Sequence, residues 1–486
     1  MLLSAIIFLP LLGAAAVALL PRSTGAAAKW VALAVTGVDA VLAIWALLTF
    51  DVDGGFQFIE RATWVREAGI NYFLAADGIS TPLVALSAFL TFLAVIASWK
   101  VDHKPGFYFA MILLLEVGMN GVFLALDFVL FYVFWELVLV PMYFLIAEWG
   151  GPRRQYASLK FFLYTLFGSV FMLLGILALY LHPDGGTFDM LQLAEANLNP
   201  GFQWWVFAAF FAGFAVKVPV WPLHTWLPDA HVEAPTAGSV LLAGILLKMG
   251  TYGFVRVSLP ILPDAARSWS TFIAALAAIS IVYGAAVAFA QTDLKKLVAY
   301  SSVSHMGFVM IGIASGTAAG INGAVTVMIA HGLITGMMFL LVGMVYERTH
   351  TRMIAEVSGL SKRIPIAGGL IAFASFASLG LPGLAGFPGE FLSLLGAWES
   401  SMWPGFVIFA GVGVLLAAAY MLWMVQRVVM GEPSAAVMGI PDLNTREIAI
   451  LVPLVAVIVG VGIYWSALLR YVDPAVNALL AGMGAA

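Results

Sequence analysis

Apolar stretches of about 20 residues recur along the whole 486-residue sequence, separated by short polar or proline-containing segments. A helix of about 20 apolar residues is long enough to cross the hydrocarbon core of a bilayer. Hydrophobic residues make up 63% of the chain and charged residues only 10%, whereas a soluble globular protein carries roughly 25% charged residues. The sequence therefore predicts an all-α integral membrane protein, with about 14 transmembrane helices.

The candidate spans follow from the apolar runs and the breaks between them. If both termini lie on the outer side, most Lys and Arg residues fall in inner loops, as the positive-inside rule requires. The first charge, Arg22, follows the first apolar run, whereas a signal peptide carries positive charge before it. We therefore expect the first run to be retained as a helix. The predicted spans are 2–20, 28–50, 78–99, 107–125, 128–147, 159–181, 203–223, 236–260, 270–290, 296–316, 322–346, 365–397, 404–430 and 447–470.

Several kinds of chemistry are disfavoured by what the sequence lacks. It contains no Cys, so disulfides and cysteine-held iron–sulfur clusters are excluded. It has no glycine-rich phosphate loop, dinucleotide fingerprint or nucleophile elbow. The net charge of -4 is small and spread over the loops, and it gives no indication of nucleic acid as a partner.

Two of the predicted helices are interrupted by prolines. The seventh carries Pro219 and Pro222, and the twelfth carries Pro382 and Pro388 within a glycine-rich stretch. Proline removes a backbone donor and breaks a helix, and broken backbone at membrane depth is tolerated only where it faces protein or water. Because the breaks lie five helices apart, we expect two inverted five-helix repeats with matching discontinuous helices. The predicted segments are 1–106 with helices one to three, 107–262 and 263–431 as the repeats, and 432–486 with helix fourteen and a tail.

Five charged residues lie inside predicted spans. Glu136 and Lys248 are near mid-span, Lys217 precedes the first break, Glu390 follows the second, and Glu116 lies at a depth similar to that of Glu136. Each costs about 2.5 to 3.5 kcal/mol at a helix centre. One interpretation is that each is neutralised by a partner and only orients helices. The alternative is a proton relay, because burial disfavours a charged lysine whereas a neighbouring carboxylate favours it.

The histidines divide into two groups. His305 and His331 lie within or at the edge of spans, where an unperturbed pKa of about 6.5 suits a relay, although a hydrogen bond between helices is an equal alternative. His224 and His231 flank "TWLPDA" in a predicted inner loop. A metal site at this pair is disfavoured, because the spacing crosses a proline and no third ligand is evident. His224, Asp229, His231 and Glu233 either feed protons from the inner side or cap the loop.

Two long motifs carry a family resemblance. Residues 217–253, "KVPVWPLHTWLPDAHVEAPTAGSVLLAGILLKMGTYG", and residues 293–308, "DLKKLVAYSSVSHMGF", resemble the antiporter-like membrane subunits of respiratory complex I, shared with Mrp-type cation/proton antiporters and membrane-bound hydrogenases. Most members of that family carry lysine at the break of helix twelve, whereas the M-type, or chain 4, branch carries glutamate. Glu390 in "GFPGEF" therefore favours the M-type branch.

The resemblance implies a role for each matching residue. Glu136 would modulate Lys217, Lys248 would be the central carrier, and Glu390 would lie toward the outer exit, with His305 and His331 joining the last two. It also implies neighbouring L-type and N-type subunits and lipid as partners, and a multi-pass location in a bacterial inner membrane with both termini on the periplasmic side. This chain would hold no cofactor, since FMN, iron–sulfur clusters and quinone would bind to partner subunits.

Three functions are compatible with these observations. The first is a proton-translocating subunit of an NADH:quinone oxidoreductase. The second is an Mrp-type cation/proton antiporter subunit, against which Glu390 argues. The third is a structural spacer that conducts nothing, although a sequence without buried charges would suit that role better.

Overall fold

The computed structural model describes residues 1–21 and 25–484. Within these residues the chain is almost entirely helical. In chain order the helices are α1 (Leu2–Leu19), α2 (Gly25–Thr49), α3 (Ser80–Ala97), α4 (Pro105–Leu124), α5 (Phe128–Leu137), α6 (Leu139–Trp149), α7 (Arg154–Leu181), α8 (Met190–Ala194), α9 (Pro200–Lys217), α10 (Trp226–Glu233), α11 (Thr236–Leu241), α12 (Leu247–Gly253), α13 (Leu259–Ile261), α14 (Pro263–Phe289), α15 (Leu294–Ser315), α16 (Ala318–Thr349), α17 (Leu360–Arg363), α18 (Pro365–Ser378), α19 (Gly386–Glu399), α20 (Pro404–Met424), α21 (Thr445–Ile463) and α22 (Ser466–Gly482).

Twelve helical stretches among the described residues are long and apolar enough to cross a membrane. Two of these stretches combine several α-helices, because α5 and α6 form one and α11 to α13 form another. This confirms the predicted class of a multi-pass, all-α membrane protein. The inverted relation between two five-helix repeats stays a prediction.

The two predicted helix breaks are present. Helix α9 ends at Lys217, and residues 218–225 form turns before α10 begins. The second break separates Ser378, the last residue of α18, from Gly386, the first of α19. In both places proline removes the N–H that the next helical turn requires.

The chain divides into two compact units. The first comprises residues 1–218, 245–270 and 470–486, and the second comprises residues 219–244 and 271–469. In the first unit α4 packs against α1, α2, α3, α5 and α6, and α9 packs against α7 and α12. In the second unit α16 packs against α11, α15, α18, α19 and α21. The boundaries of these two units differ from those of the four segments predicted from the sequence. The division into four segments stays a prediction.

Small residues bring α16 and α19 into backbone contact. A Cβ atom at Gly323 would lie 2.3 Å from the backbone nitrogen of Ser393, and one at Gly389 would lie 2.6 Å from that of Val327. Glycine at these positions is what allows the two backbones to approach, as is common between helices in membranes. This contact fixes the position of Glu390, which directly follows Gly389.

A β-hairpin, which the sequence did not predict, connects α2 to α3. Its antiparallel strands are β1 (Gln57–Val65) and β2 (Ile70–Ala76). Arg61 Nη2 lies 2.8 Å from Asp189 Oδ2, and the backbone N–H of Asn71 donates to Asp127 Oδ2 at 2.9 Å. Burial raises the pKa of Asp127, against the opposing effect of the backbone N–H groups that it accepts from. The hairpin is thereby fixed to the ends of two other elements.

Helix α22 also departs from the prediction, which treated the chain after the fourteenth helix as a tail. Arg470, Asp473 and Pro474 interrupt its apolar pattern, so the segment resembles a loop in a search for spans. The structure shows an amphipathic helix that buries Tyr471 and Val472. The carbonyl of Tyr471 approaches Gly78 so closely that a Cβ atom there would overlap it.

Candidate functional site

Lys217 is buried at the C-terminal end of α9, with an exposed fraction of 1%. Its ammonium nitrogen lies 5.1 Å from the ring centroid of Trp135 and interacts electrostatically with Glu136. No hydrogen-bond acceptor among the described residues reaches Nζ. The partial negative charge at a helix C-terminus favours a cation there, as do the face of an indole ring and a nearby carboxylate. The lysine is thus held by long-range electrostatics and not by a fixed hydrogen bond.

Glu136 lies one residue before the end of α5, at a discontinuity in the fifth span. The span consists of α5 and α6, with Val138 between them. Pro141 explains the discontinuity, because it has no N–H to donate to the carbonyl of Leu137. Oε1 of Glu136 is buried without a hydrogen-bond partner, and the phenol of Tyr132 adjoins the carboxylate. A third ionisable residue therefore lies next to interrupted backbone, which sequence reasoning did not predict.

Lys248 is completely buried, with an exposed fraction of 0%. It lies in α12 between two π-helical segments, Leu242–Leu246 and Phe254–Ser258. Such segments are frequent at functional sites. A Cβ atom at Gly250 would lie 2.9 Å from both the carbonyl of Phe214 and the backbone nitrogen of Val218. The helices that carry Lys217 and Lys248 are therefore in backbone contact near both lysines.

His305 bridges the break between α18 and α19. Its Nδ1 lies 2.8 Å from Glu390 Oε1, and its Nε2 lies 3.1 Å from the hydroxyl oxygen of Ser378. The exposed fractions of His305 and Glu390 are 4% and 6%. A Cβ atom at Gly380, whose φ is +79°, would lie 3.1 Å from Glu390 Oε2. Glycine there permits the left-handed turn and leaves room for the carboxylate.

His331 of α16 lies beside His305 and Glu390. Its ring centroid lies 5.6 Å from that of His305, at an interplanar angle of 59°. Both imidazoles, Glu390 and Ser378 line one small cavity, together with Thr335. The structure therefore brings together three of the residues predicted from the sequence. Ser378 is a participant that the prediction missed, although it lies four residues before Pro382 at the predicted break.

The interpretation of residues 224–233 as an inner loop is wrong. Residues 226–233 form helix α10, and most of its side chains are buried. His231 is 0% exposed and stacks on Phe339 at a centroid distance of 4.6 Å. His224 lies 5.1 Å from the ring of Tyr283. Prolines on both sides made this segment look like a loop, but Pro228 lies in the first turn of α10, where proline is tolerated.

Two cations cap the C-terminal end of α10. Arg352 donates to the carbonyl of Val232 at 2.7 Å, and Lys295 donates to that of Ala234 at 2.8 Å. Arg352 also pairs with Asp293 at 2.6 Å and approaches Glu233 at 3.8 Å. Basic side chains at a helix C-terminus satisfy its last carbonyls and oppose the helix dipole. The capping groups are therefore Arg352 and Lys295 from outside the segment, and a capping role for its own residues His224, Asp229, His231 and Glu233 stays a prediction.

Glu116 lies in a different environment from Glu136. Gly118 and Gly121 form the face of α4 that packs on α5, whereas Glu116 adjoins Asp39 of α2. Both carboxyl groups are 0% exposed. Sequence reasoning missed Asp39, although it is the only charged residue between Lys29 and Asp51. A single acid in an apolar span is the signal that identifies it.

The chemistry available to these groups is proton transfer. Lysine, imidazole and carboxyl groups each gain or lose a proton, and here they lie beside interrupted helices where backbone groups are not all used internally. Among residues 1–21 and 25–484, no group of three or more His, Cys, Asp or Glu side chains is arranged to hold a metal ion.

Two family models match the chain over most of its length. Residues 125–417 match the family described as NADH:quinone oxidoreductase/Mrp antiporter, TM. Residues 12–122 match the family described as NADH-ubiquinone oxidoreductase chain 4, amino terminus. The first match covers more than half of the sequence and includes every predicted site residue except Glu116, which the second match includes.

Similar proteins cover the chain nearly completely. NADH-quinone oxidoreductase subunit M of Rhodobacter capsulatus is 47% identical, over 99% of this chain and 96% of that protein. A chain in the structure of respiratory complex I from Thermus thermophilus with bound NADH is 33% identical, with a TM-score of 0.91 over 100% of both chains. A chain of the Mrp complex from Dietzia is 23% identical, with a TM-score of 0.85 over 99% of this chain and 52% of that one. The last similarity concerns the fold alone.

Proposed function

Because the chain belongs to the NADH:quinone oxidoreductase/Mrp antiporter family, in the branch of chain 4, we propose that it is a proton-translocating membrane subunit of an NADH:quinone oxidoreductase. The redox reaction takes place in partner subunits, which hold FMN, iron–sulfur clusters and quinone. This chain contributes the transfer of protons across the membrane. The 47% identity to a subunit M over nearly the full length supports the assignment.

The observation that carries the proposal is the environment of Lys217. A lysine with 1% exposure and no hydrogen-bond acceptor is costly to keep charged inside a membrane. The Trp135 ring and the Glu136 carboxylate are what favour the ammonium form. A displacement or protonation of Glu136 would remove the support of its carboxylate, and Lys217 would then release its proton. A purely structural ion pair would instead hold the ammonium in direct hydrogen bonds.

The remaining roles follow the family resemblance residue by residue. Lys248 receives the proton that Lys217 releases, and its position between two π segments leaves backbone groups available for water. Glu390 is the group toward the outer side. His305 and His331 deliver the proton to it, since His305 is already hydrogen-bonded to Glu390 at 2.8 Å.

His224 and His231 have a weaker claim to the pathway. Both are buried against aromatic rings, and the adjoining helix end is capped by cations. We assign them to the support of α10 and propose no transfer step through them.

The wider context is proposed on the same basis. Membrane-arm subunits of the same complex, including L-type and N-type relatives, flank the chain, and lipid covers its remaining apolar faces. The segments 107–262 and 263–431 form the two inverted repeats, preceded by 1–106 and followed by 432–486. The membrane is the bacterial inner membrane, with both termini on the periplasmic side.

The test is a pair of chromosomal substitutions, Glu136→Gln and Lys217→Ala, in the organism that makes the complex. NADH oxidation, quinone reduction and acidification of inverted membrane vesicles are measured together. We expect both variants to lose most of the acidification and most of the quinone reductase rate, because the two are coupled. Lys362→Ala is the matched control, since that lysine is half-exposed and pairs with the exposed Glu432.

Two other outcomes would replace the proposal. Full quinone reduction with full acidification in both variants would assign the chain a spacer role. Sodium-dependent proton flux in the absence of NADH would assign it to Mrp-type antiport, which the shared family model permits.

A further inference from the structure

A second group of buried acidic residues lies between α2 and α4, apart from the lysines and histidines described above. Asp39 and Glu116 are both 0% exposed, and their carboxyl groups adjoin within hydrogen-bonding range. Asn120, also 0% exposed, directs its amide to the same point. Its Nδ2 donates to Asp39 Oδ2 at 3.1 Å and to the carbonyl of Ile6 at 3.5 Å.

Four side-chain oxygens of these three residues lack hydrogen bonds from the described residues. Asp39 Oδ1, both oxygens of Glu116 and Asn120 Oδ1 are buried and accept no hydrogen bond from residues 1–21 or 25–484. Two bare carboxylates cannot hydrogen-bond to each other, because both only accept. One proton placed between them supplies the missing bond, and it removes one of two negative charges that low-dielectric surroundings make costly.

Among the described residues, the cations on α2 and on the elements packed against α4 are Lys29, which pairs with Asp102 at 2.7 Å, and Lys248. Helices α1 and α3, which pack on α2 and α4, contain no charged residue. The charged group that acts on Glu116 is Asp39. The titratable residues on the other elements packed against α4 are Tyr132 and Glu136 of α5, Tyr143 and Glu148 of α6, Lys248 and Tyr252 of α12, and Tyr72 of β2.

We propose that Asp39, Glu116 and Asn120 form a proton-binding site that holds one proton shared by the two carboxyl groups at neutral pH. The amide of Asn120 favours the ionised form of Asp39 by donating to it. Glu116 therefore carries the proton and donates it to Asp39 Oδ1. The site goes beyond the proposed route through Lys217, Lys248 and Glu390, and it does not depend on that route.

Occupancy of the site controls how α2 and α4 pack. With the proton present, the carboxyl pair is a hydrogen bond that joins the two helices. Its loss leaves two adjacent negative charges in a buried place, which repel each other and favour separation or hydration. Proton binding is thus linked to the packing of the first four helices.

Infrared spectroscopy of the intact complex in lipid tests the site. The carbonyl stretch of a protonated carboxyl is recorded at neutral pH in the parent complex and in the variants Glu116→Gln and Asp39→Asn. We expect Glu116→Gln to remove one protonated carboxyl, because Asp39 then accepts from two amides and ionises. Asp39→Asn should keep that carboxyl but shift its band, since Glu116 stays protonated with a different partner. Glu148→Gln, at a partly exposed ion pair with Lys104, is the control and should leave the band unchanged.

Two results would overturn the proposal. Identical carboxyl bands in the parent and Glu116→Gln complexes would show that the pair holds no proton. A band that appears in the parent only after sodium is removed would show that the oxygens bind a cation instead. Because these readouts are independent of NADH oxidation and pumping, their failure is distinguishable from failure of the proposed function.

Discussion

His305 is hydrogen-bonded to Glu390 at 2.8 Å, and its other ring nitrogen bonds Ser378 across the helix break at 3.1 Å. The imidazole can change its charge without losing either contact. When neutral, it donates from Nδ1 to the carboxylate and accepts from the hydroxyl of Ser378. When protonated, it donates to both, because a hydroxyl oxygen also accepts. A residue with adaptable partners of this kind suits repeated proton transfer.

Removal of the Ser378 hydroxyl should slow proton transfer without removing a charge. In Ser378→Ala the neutral imidazole loses its donor, and a hydrogen bond of this type contributes about 1 kcal/mol. We therefore expect vesicle acidification to fall roughly five-fold, since about 1.4 kcal/mol corresponds to a factor of ten in rate. The control is Ser375→Ala, because the Ser375 hydroxyl donates to the carbonyl of Ile371 in its own helix. Equal rates in the two variants would exclude a role for the Ser378 hydroxyl.

The close contact of α9 with α12 should be as important as the lysines themselves. In Gly250→Ala the new methyl group would lie 2.9 Å from backbone atoms of Phe214 and Val218, so the end of α9 must shift. Overpacking of this kind costs typically 1 to 3 kcal/mol. We expect proton translocation and coupled quinone reduction to decrease although no ionisable residue has changed.

Gly411→Ala in α20 is the matched control for this change, because a Cβ atom there meets no atom within 4 Å. The measurement is the rate of NADH-driven acidification at equal amounts of assembled complex. Activity equal to that of the parent in Gly250→Ala would mean that the position of Lys217 relative to α12 is not critical.

The buried ion pair of Asp77 with Arg256 should govern stability at acidic pH. Asp77 lies in the loop before α3, and the Arg256 guanidinium bonds its carboxylate. Burial alone would raise the pKa of Asp77, but the charge and hydrogen bonds of Arg256 outweigh burial and hold it below the ordinary value of 3.8. A carboxylate with a lowered pKa stabilises the fold fully above its unfolded pKa, and that contribution is lost as the pH falls through the folded value.

In Asp77→Asn, the arginine remains buried without its counter-charge, which costs about 3 to 5 kcal/mol. We expect the variant to aggregate at a lower temperature than the parent. The measurement heats the detergent-solubilised complex at a series of pH values from 7 downward and detects by immunoblotting how much of this chain stays in solution. The difference in this temperature between the parent and the variant should stay constant down to about pH 4. It should become smaller below that pH, because protonation of Asp77 then removes the ion pair from the parent as well. Asp102→Asn is the control, since its pairing with Lys29 is 85% exposed on the aspartate side and contributes at most about 1 kcal/mol.

Arg352 should determine the local stability of α10. It bonds the carbonyl of Val232 and pairs with Asp293, and hydrogen bonds to charged groups contribute about 1.5 to 3 kcal/mol. Arg352→Met should therefore increase amide hydrogen exchange in residues 226–234 by at least about ten-fold. The exposed Arg363 provides the control substitution, Arg363→Met. Unchanged exchange in residues 226–234 would contradict the capping role.

The elements that the sequence predicted best are those with a local cause. Long apolar runs specify the spans, and Pro219 and Pro382 specify breaks because a missing N–H acts on the preceding turn. The positions of Lys217 and Glu390 beside those breaks follow directly. The bridge from His305 to Ser378 is a contact between residues 73 positions apart, and no periodicity in either helix encodes it.

The partner of Glu116 was missed for the same reason, because it is distant from Glu116 in the sequence. Asp39 lies on α2, and the two acids come together only because α2 and α4 pack side by side. A search for charges within single spans finds each acid but not the pair. Helix α10 was missed for the opposite reason, since Pro228 and its polar residues are typical of a loop. Burial against neighbouring aromatic rings and the caps from Arg352 and Lys295 stabilise the helix, and all of these partners are distant in sequence.

Because π segments lie on either side of Lys248, the direction of its side chain depends on how many residues those segments contain. Each π turn closes its hydrogen bonds over five residues instead of four, so everything beyond it is rotated by about one residue step, or roughly 100°. Lys248 is thereby out of phase with both ends of the stretch Thr236–Ile261. Deletion of a single residue within 242–246 would restore the ordinary winding and turn the ammonium group to another face, with every side chain of α12 still present.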